Sequence, residues 1–281
     1  MTNLPSFSLL LPVYHGDSAA YLRRSFHSSV QEQTLRPGEV VLVEDGPVGA
    51  ELTAQIERLI ATSPVPVVHV RITENAGLAV ALTTGLAACT NDVVARMDAD
   101  DISLPERFAI QIPLIAAGHD LVGSGMWEFS EDAAGTEIDG AERNPPTSAA
   151  DIARYARFHD PFNHPTVVYT KSAVAAAGGY APLGLMEDYW LFARMIAGGA
   201  RAQNTAERLV RYRVSSGAYK RRGGLRLLTS ELQLQRAFRR CGFTSTWQFV
   251  RNIAVRGGYR LIPEPVRRYF YRTLILRSRT L

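Results

Sequence analysis

Four short apolar runs, residues 7–13, 39–43, 65–70 and 92–97, are separated by three longer segments of helical length, residues 18–33, 48–61 and 77–89. The runs are rich in Val, Ile and Leu and scarcely alternate, as strands covered on both faces do. Three alternations of strand and helix leave the backbone few solutions. Crossovers of this length join parallel neighbours, and their right-handedness then predicts an α/β sheet with helices on both sides. With 281 residues, 46% of them hydrophobic, the chain is long enough for a full core and an appendage.

After Asp98 the rhythm changes. Residues 104–117 read as a helix, 120–129 as a strand, and 130–146, rich in Gly, Pro, Asp and Glu, as a polar loop. A helix over 149–158, a strand over 166–170 and a helix over 186–196 follow. From Gly223 onward the segments read as helical and Arg-rich, broken at Gly257, Gly258 and the turn from Pro263 to Pro265.

The net charge of +4 hides two opposite halves. Residues 1–207 carry 13 basic and 25 acidic side chains, whereas residues 208–281 carry 18 and 2. This asymmetry points to an acidic site in the body and a C-terminal segment that seeks polyanions. Cys89 and Cys241 are too few for a disulfide framework or a Cys-based zinc site. No uncharged stretch approaches the roughly 20 apolar residues of a membrane span. Met1 to Pro5 lacks a basic leader region, so export is not expected and a cytoplasmic location is.

In an open parallel sheet, ligands bind beyond the carboxyl ends of the strands. The first strand ends in Pro12, Val13, Tyr14 and His15, and the second in Glu44, Asp45 and Gly46. The third leads to Arg71, Glu74 and Asn75, and the fourth ends in Asp98, Ala99, Asp100 and Asp101. No glycine-rich turn follows the first strand, which removes dinucleotide and phosphate-loop fingerprints. Three carboxylates within four residues repel one another unless something positive sits among them. Either a hard divalent cation such as Mg²⁺ or Mn²⁺ does so, or Asp100 or Asp101 caps the helix that begins near Leu104.

Leu11-Pro-Val-Tyr14, Glu44-Asp-Gly46, Glu74-Asn-Ala-Gly-Leu78, Met97-Asp-Ala-Asp-Asp101 with Pro105-Glu-Arg107, Gly178-Gly-Tyr180, Glu187-Asp-Tyr189 and Tyr212-Arg213 occur in that order. The ordered set resembles the family 2 glycosyltransferases of the GT-A fold over roughly residues 6–215. It is most similar to the bacterial exopolysaccharide branch of amylovoran-type enzymes, in which a late Lys-Arg-Arg-Gly-Gly like that at 220–224 also occurs.

The resemblance implies a GT-A domain over 1–215, a Rossmann-like, mostly parallel sheet flanked by helices, followed by a basic loop and an Arg-rich amphipathic helical region over 216–281. It places the nucleotide base, usually uracil, at Pro12, Val13, Tyr14 and Asp45, with Arg71 and Asn75 as further nucleotide contacts. Asp98 would reach the ribose or the metal, Asp100 would ligate Mn²⁺ or Mg²⁺ bridging the diphosphate, and Asp101 would support the turn. Asp188 matches the general base of inverting members. Adjacent helical residues point about 100° apart, so only one of the pair can sit over the sugar, and Glu187 is the alternative. His164 is the implied acceptor contact, and Trp190 either stacks on a sugar ring or packs in the core. Two departures stand out: Thr83 where related sequences often carry Asn, and no histidine beyond His164 to serve as a distal metal ligand.

Lys220, Arg221 and Arg222 are expected to grip phosphate, either the donor's diphosphate or an acceptor's pyrophosphate. Trp247, Val250, Ile253 and Ala254 share one helical face, as do Ile262, Val266, Tyr269, Phe270 and Leu274, with arginines between them. Such a segment lies in an anionic membrane interface or packs on the catalytic domain with its Arg face exposed. The expected activity is inverting, metal-dependent transfer of a hexose from a UDP-sugar to a lipid-linked glycan in extracellular polysaccharide biosynthesis, at the inner face of the cell membrane. The alternatives are a non-catalytic nucleotide-sugar-binding homologue and a nucleic-acid-binding protein acting through its basic end. No nucleic-acid-binding motif accompanies the charge, so nucleic acid is not the expected partner.

Overall fold

The computed structural model describes residues 4–132, 134–214 and 225–261. The alternating half folds as β1 (Phe7–Tyr14), α1 (Ala19–Val30), β2 (Glu39–Asp45), α2 (Ala50–Thr62), β3 (Val67–Ile72), α3 (Leu78–Ala88) and β4 (Val93–Arg96). β1 lies between β2 and β4 with β3 outside β2, all parallel. Side chains alternate across a strand, so β1 feeds two cores at once. Leu9 and Leu11 pack with Leu22 and Phe26 of α1 and with Ile56 of α2. Leu10 packs on the other face with Val41, Val43 and the small-residue helix α3. The approach of α3 is close enough that a Cβ on Gly85 would stand 2.3 Å from Leu10 Cδ1.

The second half comprises β5 (Ile102–Ser103), α4 (Arg107–Ala116), β6 (Leu121–Glu131), β7 (Glu137–Arg143), α5 (Ala149–Tyr155), a 3-10 turn (His164–Thr166), β8 (Val168–Thr170), α6 (Lys171–Ala176), α7 (Glu187–Ala197) and β9 (Ala202–Arg213). The sheet runs β3-β2-β1-β4-β8-β6-β9-β5, with β7 added to β6. β8 is antiparallel to both β4 and β6, and β9 is parallel to β6. β7 falls where a polar loop is expected. Its charged residues conceal a strand that ion pairs hold rather than apolar burial: Arg211 of β9 meets Glu137 and Asp139, and Arg143 meets Glu128 of β6. The expected strand over 166–170 is shortened by the 3-10 turn, which has a proline in its first turn.

The C-terminal helices are α8 (Leu225–Arg240), α9 (Thr246–Asn252), a π-helical stretch (Ile253–Gly257) and α10 (Gly258–Leu261). Helical backbone therefore runs through Gly257 and Gly258, where the sequence predicts a break. A capping box, Ser245 with Gln248, starts α9. Leu234, Phe238 and Phe243 form a third core with Ala156, Met186, Tyr189 and Ala193. Polar bonds tie the same layer to the body. Arg256 pairs with the fully buried Glu231 at 2.6 Å and donates to Phe158 O at 2.6 Å, and Asn252 Nδ2 donates to Arg157 O at 2.8 Å. Among the described residues no helix is long and apolar enough to cross a membrane. Lys220, Arg221, Arg222 and the expected helical face from Ile262 to Leu274 lie outside the described residues.

Candidate active site

The carboxyl ends of β1, β2 and β4 surround a cavity of about 390 Å³ whose walls include Pro12, Val13, Tyr14, Asp45, Asn75, Asp98 and Asp100. Asp45 organises one wall. Its carboxylate accepts from Asn75 Nδ2 at 3.1 Å, Ala76 N at 2.8 Å and Gly77 N at 3.0 Å, folding the 75–77 loop back over the strand end. Gly46 makes that approach possible, because its φ is +80° and a Cβ there would lie 2.5 Å from Asn75 N. Arg71 is not brought to this cavity. It stands 63% exposed, paired at 3.3 Å with Glu44, which also meets His69 at 2.9 Å.

Negative charge concentrates on the opposite wall. Asp17, which the sequence reading passed over, is fixed by a bond from Tyr14 N at 2.9 Å to its Oδ2. Burial pushes its pKa up to about 7, with Asp100 and Asp98 adding to the rise. Burial and then Asp98 push Asp100 up to about 6. Asp98 is held differently: both of its oxygens are met by the guanidinium of the buried Arg96, Nη1 to Oδ2 at 2.6 Å. Asp101 is fully buried and accepts from Arg213 N at 2.8 Å, which makes it a support for the turn.

The charge excess fits a cation that brings its own substrate oxygens. Mg²⁺ and Mn²⁺ commonly sit on one or two carboxylates with waters and phosphates completing the shell. Asp100, beside Asp17 and Asp98, offers such a donor set, and a cation there would offset both the burial and the Asp98 charge that raise its pKa. No cluster of three or more potential metal ligands occurs among the described residues, so a cage made by the protein alone is not what this site provides.

A second cavity, of about 570 Å³, adjoins the first and shares Leu78, Asp98 and Tyr212 with it. Asp188, at the first turn of α7, lines this second space. Its Oδ1 accepts from Tyr189 N at 2.7 Å, and His164 Nδ1 stands 3.6 Å from its Oδ2. A helix N-terminus favours an anion by about 0.3–1 kcal/mol, yet burial dominates and raises the pKa of Asp188. Glu187 lies outside the walls of both cavities, with one carboxylate oxygen buried and unpartnered. Burial, and then Asp188, push it up to about 7. Trp190 also turns away, its ring 6.0 Å from that of Phe238 and 4.9 Å from the Arg194 guanidinium.

Asp160 and Arg143 share the walls of the larger cavity. The Asp160 carboxylate accepts from Phe162 N at 3.2 Å, and burial followed by the charge of Asp188 raises its pKa well above the usual range.

Residues 8–175 match the family described as Glycosyl transferase family 2. The chain belongs to the family 2 glycosyltransferases. It is 37% identical over 269 residues to the amylovoran biosynthesis glycosyltransferase AmsE of Erwinia amylovora, an alignment covering 94% of this chain and 97% of that one. It is 32% identical to the UDP-Gal:alpha-D-GlcNAc-diphosphoundecaprenol beta-1,3-galactosyltransferase of Escherichia coli, covering 97% and 98%. Among solved structures, the mannosyltransferase PcManGT from Pyrobaculum calidifontis in complex with GDP-Man and Mn²⁺ superposes with a TM-score of 0.63 at 17% identity, covering 95% of this chain and 72% of that one. S. aureus TarS 1–349 in complex with UDP-GlcNAc gives 0.60 at 17%, covering 82% and 66%. The expected GT-A fold, a mixed α/β sheet flanked by helices, is thus the one this glycosyltransferase adopts.

Within this glycosyltransferase, Pro12, Val13, Tyr14, Asp45, Asn75, Asp98 and Asp100 gather at one cavity, and His164 and Asp188 at the other. Arg96, Asp17 and Asp160 join them without having been read from the sequence. Each left a trace there: Arg96 is a charge inside an apolar strand, Asp17 follows the first strand end, and Asp160 stands in His159-Asp-Pro-Phe-Asn-His164.

Proposed function

We propose that this family 2 glycosyltransferase moves a hexose from a UDP-sugar to a lipid-linked glycan, with inversion at the anomeric carbon and Asp188 as general base. The meeting of two cavities at Asp98 supports the reading: one is built on strand ends suited to a nucleotide, and the other holds the Asp188 carboxylate, whose pKa burial raises. The acceptor hydroxyl loses its proton to Asp188 as its oxygen attacks the anomeric carbon, and the bond from that carbon to the diphosphate breaks on the opposite side. Pro12, Val13 and Tyr14 wall the base, and Asp45 and Asn75 present polar atoms to its edge, while Arg71 stands outside this wall, paired with Glu44.

Asp100 is the principal candidate ligand for Mn²⁺ or Mg²⁺, because Arg96 already engages both oxygens of Asp98. A divalent cation bound there would stabilise the charge that builds on the departing nucleoside diphosphate. Lys220, Arg221 and Arg222 belong to the same reading as a grip on phosphate, and His164 as part of the acceptor side.

The Escherichia coli relative, whose name specifies UDP-Gal and a diphosphoundecaprenol-linked sugar, supports the UDP-sugar and the lipid-linked acceptor. The Erwinia relative supports a role in extracellular polysaccharide assembly. An anionic membrane surface is the proposed docking partner. Trp247, Val250 and Val255 are 73%, 51% and 65% exposed, and arginines dominate the charge of the segment that carries them.

The test is transfer by the purified protein from a panel of UDP-hexoses to alkyl-diphosphate-linked sugars, read as UDP release and product mass. Transfer that EDTA stops and Asp188→Asn lowers about 10²–10⁴-fold, with UDP affinity retained, is the expected result. Full turnover by Asp188→Asn would remove it as the base.

A further inference from the structure

His164 opens the 3-10 turn ahead of β8, with Pro165 immediately behind it. Its ring is buried and packs edge-on against Phe192 at 5.8 Å. Both nitrogens are committed inside the protein. Nε2 lies 3.0 Å from the Tyr180 hydroxyl, and the Tyr180 and Tyr169 hydroxyls lie 3.4 Å apart, all in the interior. Nδ1 faces Asp188 Oδ2 at 3.6 Å. An acceptor contact through either nitrogen would have to displace one of these partners.

The groups around the ring decide its protonation. Arg96 faces it from β4, Tyr169 from β8, Tyr180 from the loop before α7, and Asp188 from α7 itself, with Glu187 and Asp160 beside Asp188. Burial and the positive charge of Arg96 keep the imidazole neutral. A neutral imidazole carries one N–H and one lone pair. A lone pair at Nδ1 would oppose an ionised Asp188, so the proton belongs on Nδ1 whenever Asp188 is a carboxylate. Nε2 must then accept, so the Tyr180 hydroxyl turns its single proton from Tyr169, 3.4 Å away, to the closer Nε2 at 3.0 Å. Tyr180 is itself held protonated by burial.

We propose that His164 is a positioning residue for the base: its Nδ1–H, fixed in that tautomer by Tyr180, holds Asp188 as a carboxylate in a single orientation toward the acceptor hydroxyl. The proposal rests on Asp188 being the base. Tyr189 N fixes one oxygen of Asp188 and His164 the other, so the carboxylate cannot rotate freely. The 3.6 Å separation is longer than a formed hydrogen bond, as is common before substrate arrives, and a shift of roughly 0.5 Å closes it.

The two nitrogens can be mimicked separately, which supplies the test. An Asn amide places an N–H near the position of Nδ1, whereas Gln reaches toward that of Nε2. His164→Gln and His164→Phe should lower kcat for transfer 10- to 100-fold with the KM for donor and acceptor within twofold of wild type. His164→Asn should recover to within about threefold of wild type, although it breaks the contact with Tyr180. In an Asp188→Asn background, His164→Phe should cost nothing further. Equal loss in the Asn and Phe variants, or a loss confined to acceptor KM, overturns the proposal. A continued loss in the Asp188→Asn background overturns it as well. Turnover by Asp188→Asn alone at the wild-type rate overturns the assignment of the base, and that result is read without any change at His164.

Discussion

Both carboxylate oxygens of Asp98 are engaged by the guanidinium of Arg96, a residue buried beneath the point where two cavities meet. One cation thus balances the acidic wall from below, before any metal or substrate is considered. Arg96 also acts on both sides, partly offsetting the rise that burial and Asp98 impose on Asp100 and adding to the lowering that burial imposes on His164.

Replacing Arg96 with Leu should therefore cost stability as well as donor binding. Removing one partner of a buried pair costs about 3–5 kcal/mol, and the partial exposure of Asp98 places this case near 3. For a chain of this size the melting temperature should fall by roughly 5 °C. Calorimetry showing a change below about 2 °C would mean that Arg96 is not the counter-charge Asp98 needs.

Asp45→Ala should loosen the 75–77 loop, because three donors lose their common acceptor. UDP affinity by isothermal titration should weaken about 10- to 100-fold, the scale of one or two charge-assisted hydrogen bonds. Arg71→Ala, by contrast, should leave it within about threefold, since Arg71 faces solvent beside Glu44.

Asp17, Asp100, Asp160 and Glu187 all bind their protons more tightly in the folded protein than in an unfolded chain. The stability tied to those protons is complete below about pH 4 and is lost as pH rises, through about 6 for Asp100 and about 7 for Asp17 and Glu187. Ligand-free protein should consequently melt lower at pH 8 than at pH 5. Asp160→Asn should narrow that gap, raising the melting temperature at pH 8 and leaving it unchanged near pH 4. A gap as wide as that of wild type would show that Asp160 is not strained in its charged form.

Arg256→Met should separate the C-terminal helices from the body. It removes one ion-pair partner of the fully buried Glu231 and a donor to Phe158 O, at a cost of about 3 kcal/mol. Proteolysis should then cut within residues 225–261 while sparing the sheet. Uniform protection along the chain would contradict this.

The sequence carried the parallel half of the sheet plainly, because strands buried on both faces leave unbroken apolar runs and α1 to α3 leave periodic ones. It was silent where charge replaces apolar burial. β7 is held by Arg211 and Arg143, and no pattern of hydrophobicity marks it. Gly257 and Gly258 read as a stop, yet neighbouring contacts such as Arg256 with Glu231 keep the backbone helical. The strand-end carboxylates were legible because topology alone tells where a strand ends. Asp160 was not, since what distinguishes it is a neighbour distant in sequence, Asp188, and Arg96, whose partner Asp98 is two residues on, sits in a strand that reads as apolar. Arg71 is a residue type suited to a ligand that turns to solvent beside Glu44, and Trp190 takes the second of its two expected placements, packed on Phe238.

Leu78, Asp98 and Tyr212 face both cavities, so whatever fills one forms part of the boundary of the other. Such a party wall ties the two occupants together thermodynamically. If bound UDP-sugar tightens the acceptor by some factor, the acceptor must tighten UDP-sugar by that same factor. In the proposed reaction, departure of the nucleotide would then weaken the hold on the lengthened glycan, so that release of one product eases release of the other.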